Sequence, residues 1–206
     1  MSCSDPAPDP VPDVRRRLLD VAAEVLAEEG PSALTTRRLT REVGTSTMAV
    51  YTHFGSMPAL VREVVADGFA QLCARVGAVP RTDDTLHDLT TVAAAYRQHA
   101  LAHPRLYAVM FGSASLGGYR LSDEDKGVGL EAFGQLVAVV ERAMAAGTLR
   151  RDDPAAVAGQ LWTALHGYIM LEQAGFHRVV DDPEDALLHP MLGHLVAGLA
   201  ADRMPG

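Results

Sequence analysis

An all-α fold follows from three features of this 206-residue chain. Aromatic residues make up only 5% of it, while Ala, Leu and Val dominate a 48% hydrophobic content, a balance that favours helices over strands. Apolar residues recur at spacings of three and four along most of the chain. Gly, Pro, Ser and Asp punctuate these runs, and no stretch alternates convincingly as a strand would. With 21% charged residues the chain is globular, and its length suits one large domain or two modest ones.

The elements follow in order. Residues 1–12 hold four prolines and little to bury, so they are expected to form a disordered tail. Asp13 can cap a helix running to Glu29, with Val14, Leu18, Val21, Ala22, Val25 and Leu26 on one face. Gly30-Pro31 ends it. Two short helices are expected at 36–43 and 46–53, and Ser56 then caps a long one to about Gly77-Pro80, with Pro58 tolerated in its first turn. Further helices are expected at 84–102, 104–111, 126–146, 153–175 and 183–203. The sequence GSASLGG at 112–118 is expected to be a loop. That makes about nine helices, divided into 13–55 and 56–206.

The segment from Leu34 to Leu60, LTTRRLTREVGTSTMAVYTHFGSMPAL, carries the sharpest signal. Leu39 and Val43 precede Gly44 by helical spacing, and Ala49, Val50 and Phe54 follow it. Thr35 or Thr36 can cap the first helix, and Thr45 or Ser46 the second. A glycine at the junction tolerates the positive φ of a tight turn. This is the pattern of a helix-turn-helix, which lays its second helix in the DNA major groove. The total charge of −8 looks unsuitable for DNA, but its distribution matters more. Residues 14–63 hold seven Arg and six acidic residues, a balance of +1 that leaves −9 for the rest.

The run TTRRLTREVG, followed by VYTHF and a PAL helix start, resembles the DNA-binding domain of the TetR family of bacterial transcription regulators over residues 14–65. The resemblance implies that Thr36 contacts phosphate and that Arg37 reaches a base or phosphate. It places Thr47, Met48, Ala49 and Thr52 on the groove-facing side of the recognition helix, and Tyr51 and His53 on phosphates. The sequence departs from the family at Met57, where a lysine is usual; Arg62 or the Arg15–Arg17 cluster could replace that contact, although Arg15–Arg17 also reads as a solvated helix start. The family implies a homodimer bound to operator DNA, most often a repressor released by a small molecule.

The segment LWTALHGYIMLEQAGF, 161–176, resembles the Trp-x3-His-Gly segment of one C-terminal subclass of the family. Leu161, Leu165 and Ile169 form one apolar stripe, and Leu188, Leu192, Leu195 and Leu199 another. The resemblance implies that they make a dimer interface; the same stripes would equally suit the protomer's own core. A largely apolar ligand is expected to meet Tyr96, His99, Tyr107, Met110 and Phe111, together with Phe133, Trp162, His166 and Met170.

Other classes have less support. The two cysteines, Cys3 and Cys73, outline no disulfide framework, and no signal-peptide pattern or membrane-length apolar run is present. A cytoplasmic location is therefore expected. No cofactor, metal or catalytic role is expected: there is no nucleophile elbow, phosphate loop or HExxH motif. His99/His103 and His189/His194 lack companions at ligand spacing. The alternative is a helical protein-interaction module with weak or lost DNA binding.

Overall fold

Asp13 accepts a hydrogen bond from the Arg15 amide at 3.3 Å and starts the first of nine α-helices among the described residues, which in this computed structural model are 13–111 and 123–201. Helix α1 spans Val14–Glu29 and stops at Gly30, φ 76°. A single 3-10 turn leads to α2, Thr36–Val43, and α3, Thr47–Phe54. The long α4 covers Met57–Gly77, α5 Thr85–Ala102 and α6 Pro104–Met110. Helix α7 spans Asp123–Ala145, α8 Pro154–Gln173 and α9 His189–Leu199. The expected tail, 1–12, and loop, 112–118, lie outside the described residues.

One hydrophobic core is continuous from α1 to α4 and onward into α5 and α6 through Val92, Val109 and Met110. Two further clusters fill the rest. One joins Leu89, Val140, Val157 and Leu199; the other joins Ala100, Tyr107, Ile169 and Leu188. Helix α1 packs on α2, α4 and α6, while α4 packs on α5, α6 and α7. Helix α4 is therefore shared by both ends of the molecule.

The expected helix at 183–203 is continuous from 183 to 199 but opens into a π-turn before α9. Residues Glu184–Leu188 form a π-turn, with the His189 amide donating to the Glu184 carbonyl, and α9 begins only at His189. Pro190 supplies the reason. It has no N–H for the carbonyl one turn back, and its ring crowds that carbonyl, so the turn widens. Helix α9 also stops at Leu199 because the chain turns back on the loop before α8. The Arg150 amide donates to the Leu199 carbonyl at 2.9 Å, and Leu149 bridges Ala200 in antiparallel fashion.

Candidate nucleic-acid interface and ligand cavity

The helix-turn-helix is held by caps at both starts. Thr35 accepts from the Arg38 amide at 3.2 Å, and Ser46 from the Ala49 amide at 3.3 Å. Gly44 is left-handed, φ 73° and ψ 39°, and the Thr45 amide closes onto the Thr40 carbonyl at 2.9 Å. Leu39, Val43, Val50 and Phe54 are buried beneath these helices. Burying Val50 and Phe54 turns the opposite face of α3 outward. Thr47, Met48, Tyr51, Thr52 and His53 are exposed there, with Ala49 half-buried at the edge. Met48 is 70% and Tyr51 51% exposed, and nothing in the protomer accounts for such apolar exposure.

Adjacent arginines on α2 have different commitments. Arg38 makes a bidentate pair with Glu29 at 2.5 Å and a further bond to Glu42 at 2.8 Å; these bonds hold its guanidinium charged and raise its pKa. Arg37 is exposed and has no ion pair among the described residues, and Thr36 is half-buried beside it. Arg15 pairs with Glu63 and stacks 5.4 Å over Phe54, while Arg16 pairs with Asp20 and Asp67 at 2.8 Å. These two therefore brace α1 against α4. Arg62, five residues beyond Met57, is exposed with no ion pair among the described residues.

Helices α4 to α9 line a partly open cavity of about 630 Å³, within the range of small-molecule sites. Tyr96, Met110, Phe111, Phe133 and Trp162 line it. His99, Tyr107, His166 and Met170 do not. Tyr107 and His166 lie behind the wall, with the Tyr107 oxygen 2.5 Å from His166 Nδ1 and 2.9 Å from the Tyr96 oxygen. His99 lies against His103 with the rings tilted and their centroids 4.9 Å apart, and Met170 packs on the cluster around Tyr107. Burial pushes the His99 pKa down to about 4, with His103 and Arg75 adding to the shift.

Sequence reasoning missed the α4 wall, Phe69, Leu72, Cys73 and Val76, together with Gln135 on α7. The α4 residues sit at the helical spacing of any core stripe, so their pattern does not distinguish a cavity wall from solid packing. Among the described lining residues none is Asp, Glu, Lys, Arg or His. Two close approaches shape the wall. A Cβ on Gly68 would meet Met110 Sδ at 2.7 Å, and one on Gly129 would meet Phe69 at 3.0 Å.

The stripe expected to face a second protomer is largely spent on this one. Leu165, Ile169, Leu188 and Leu199 are buried inside the protomer. Leu161 and Leu192 line the cavity, and Leu195 packs on the α7–α8 core. The apolar faces of α8 and α9 are the faces by which they join their own bundle. Their outward faces carry Gly167 and Leu171 on α8 and Gly193, His194 and Ala197 on α9, all exposed.

Residues 18–64 match the family described as bacterial regulatory proteins, tetR family, and residues 89–195 match the tetracyclin repressor-like C-terminal domain. An uncharacterized HTH-type transcriptional regulator of Mycobacterium tuberculosis, Rv0681, is 31% identical over 90% of this chain and 81% of its own length. A protein of unknown function from Rhodococcus sp. RHA1 has a similar structure, with a TM-score of 0.78 and 27% identity over 94% of this chain and 98% of that one. The TetR family transcriptional regulator PfmR from Thermus thermophilus shares the fold, with a TM-score of 0.69 and 19% identity over 91% and 100% of the two chains. With its helix-turn-helix, its all-helical frame and these matches, the chain belongs to the TetR family and is a DNA-binding transcriptional regulator.

Proposed function

We propose that the protein is a homodimeric repressor whose hold on operator DNA is released by a small molecule in the cavity between α4 and α8. The observation that carries the DNA role is the outward face of α3, where Thr47, Met48, Tyr51 and Thr52 stand exposed over buried Val50 and Phe54. Residues 13–55 form the DNA-binding part and 56–206 the ligand and dimer part. Met48, Ala49 and the threonine methyls suit thymine methyl groups. Arg37, with no competing ion pair among the described residues, supplies the strong base contact. Thr36, Tyr51 and His53 fix register on phosphates, and Arg62 takes the place of the usual lysine at Met57. In the dimer, the outward faces of α8 and α9 meet their copies to form four packed helices. Small residues such as Gly167, Gly193 and Ala197 support this reading, because they allow close helix approach. Operator DNA as the partner supports a cytoplasmic location, and no described helix is long and apolar enough to cross a membrane.

Release follows from α4. It starts three residues after the recognition helix and supplies one wall of the cavity. A ligand that favours a different tilt of α4 changes the separation of the two recognition helices, and a coupling of a few kcal/mol suffices. The test uses the purified chain on intergenic DNA beside its own coding sequence. A retarded complex at low salt that Thr47→Arg abolishes is the expected result. No complex under those conditions would leave the protein-interaction module as the better reading.

A further inference from the structure

Trp162, Tyr96, Tyr107 and His166 form a hydrogen-bonded chain at one wall of the largely apolar cavity, whose other described polar lining residues are Thr90, Gln135 and Thr163. Trp162 Nε1–H donates to the Tyr96 oxygen at 3.0 Å, the two tyrosyl oxygens are 2.9 Å apart, and Tyr107 closes on His166 Nδ1 at 2.5 Å. Trp162 and Tyr96 face the cavity, whereas Tyr107 is fully buried and His166 half-buried behind them. An indole N–H only donates, so the Tyr96 oxygen always accepts that bond. The polarity of the remaining bonds rests on the His166 tautomer. With Nδ1 bare, Tyr107 donates to His166 and Tyr96 donates to Tyr107, which leaves the Tyr96 oxygen one lone pair for the cavity. With the proton on Nδ1 both bonds reverse, and the Tyr96 proton is free to be donated. Burial lowers the His166 pKa and raises those of both tyrosines, so the chain stays neutral in either polarity.

A second polar group borders the same space. Gln135 Oε1 is buried with no hydrogen-bond partner among the described residues, and Gln135 lines the cavity. Its amide also works in either sense, since turning it over exchanges acceptor for donor. No described lining residue offers a counter-charge, and an unpaired charge in an apolar site is strongly disfavoured.

We propose that Tyr96 is the polar anchor of the cavity, with Tyr107 and His166 acting through it as a reversible relay. The ligand is then a bulky, neutral, largely apolar molecule bearing a hydroxyl or carbonyl oxygen. The proposal rests on the ligand-responsive reading above and specifies its ligand class. Tyr107 and His166 are positioning residues. They touch no ligand, but they set whether Tyr96 accepts or donates.

Trp162 is the chain's single tryptophan, so its fluorescence reports occupancy directly. The full-length protein is titrated with four saturated tetracyclic probes: androstanol, androstanone, androstane and androstane carboxylate. The alcohol and the ketone are expected to bind about ten-fold more tightly than androstane, with the carboxylate weakest. Tyr96→Phe should bring alcohol and ketone down to the level of androstane while androstane binding persists, which also shows that the variant is folded. Gln135→Leu provides an independent variant and should weaken the alcohol but not androstane. In ¹⁵N-histidine spectra, androstanone should shift His166 towards the Nδ1–H form, and androstane should not. Equal or tighter binding of the carboxylate, or equal binding of androstane, overturns the ligand class and leaves the ligand-responsive reading standing. Unchanged His166 spectra with bound androstanone overturn the relay. If no probe alters Trp162 fluorescence, the cavity reading itself fails.

Discussion

Arg37 and Arg38 are sequence neighbours on α2 with opposite commitments. Three carboxylate bonds hold Arg38, and none holds Arg37 among the described residues. If Arg37 reads a base, Arg37→Ala should reduce discrimination between operator and scrambled DNA by about ten-fold or more, since a good bidentate contact contributes ~1–3 kcal/mol. Tyr51→Phe should weaken both DNAs by a similar factor, because a phosphate contact carries no sequence information. Titration of the two variants on both DNAs checks the ranking. His99 gives a prediction on pH. Its folded pKa of about 4 lies below the ordinary histidine value of 6.5, so the unfolded chain binds more protons between these values. Stability should therefore be fully present above pH 6.5 and fall as pH drops toward 4. His99→Gln should flatten the melting temperature across that window, and parallel melting curves for variant and wild type would contradict the assignment.

At the scale of elements, α4 has two jobs that meet at Gly68. Its start follows the recognition helix, and its middle approaches α6 closely enough that a Cβ would overlap Met110. Met110 lines the cavity, and its flexible thioether has open space to enter. Gly68→Ala is therefore expected to push the Met110 side chain into the cavity rather than unfold the protein. Affinity for a cavity-filling probe should drop at least several-fold, while stability changes by about 1 kcal/mol or less, since alanine's better helix propensity offsets part of the strain. Probe titration beside urea unfolding separates the two effects. Unfolding without a change in affinity would show that the α4–α6 contact is rigid. Pro190 shows the same economy at the end of the chain: one missing N–H converts an expected long helix into a π-turn and a shorter α9.

For the whole molecule, dimerisation is the property to test first. The buried leucines of α8 and α9 serve the protomer, so the proposed partner surface is the small-residue face beside them. A Cβ at Gly167 would meet nothing within 4 Å in the protomer. Gly167→Arg should thus leave the protomer folded while blocking close approach of a copy. Sedimentation should find a monomer with helical content close to wild type, and operator binding should fall steeply because two half-sites are no longer engaged together. An unchanged dimer would place the interface elsewhere. The charge distribution belongs to this scale as well: the −9 outside residues 14–63 contrasts with the +1 within them, and this asymmetry favours an approach that presents the helix-turn-helix to the duplex.

Much of the molecule is legible along the chain because its causes are local. Helix periodicity, the Gly44 junction and the capping residues depend on neighbours within a turn or two, and they predict the helices, the helix-turn-helix and the exposed side of α3. The Ser46 cap and the π-turn before Pro190 are also local, but only the folded chain chooses between Thr45 and Ser46, and the apolar pattern runs on through Pro190 without marking the widened turn. The C-terminal site is legible in part, since Tyr96, Met110, Phe111, Phe133 and Trp162 are expected as walls and do line the cavity. Placing Tyr107 and His166 behind Tyr96, bringing α4 into the cavity and turning the leucines of α8 and α9 inward all require tertiary structure. An amphipathic stripe records only that a helix has an apolar side. Whether that side meets a solid core, an empty space or a second protomer depends on contacts between residues far apart in sequence, where spacing carries no information.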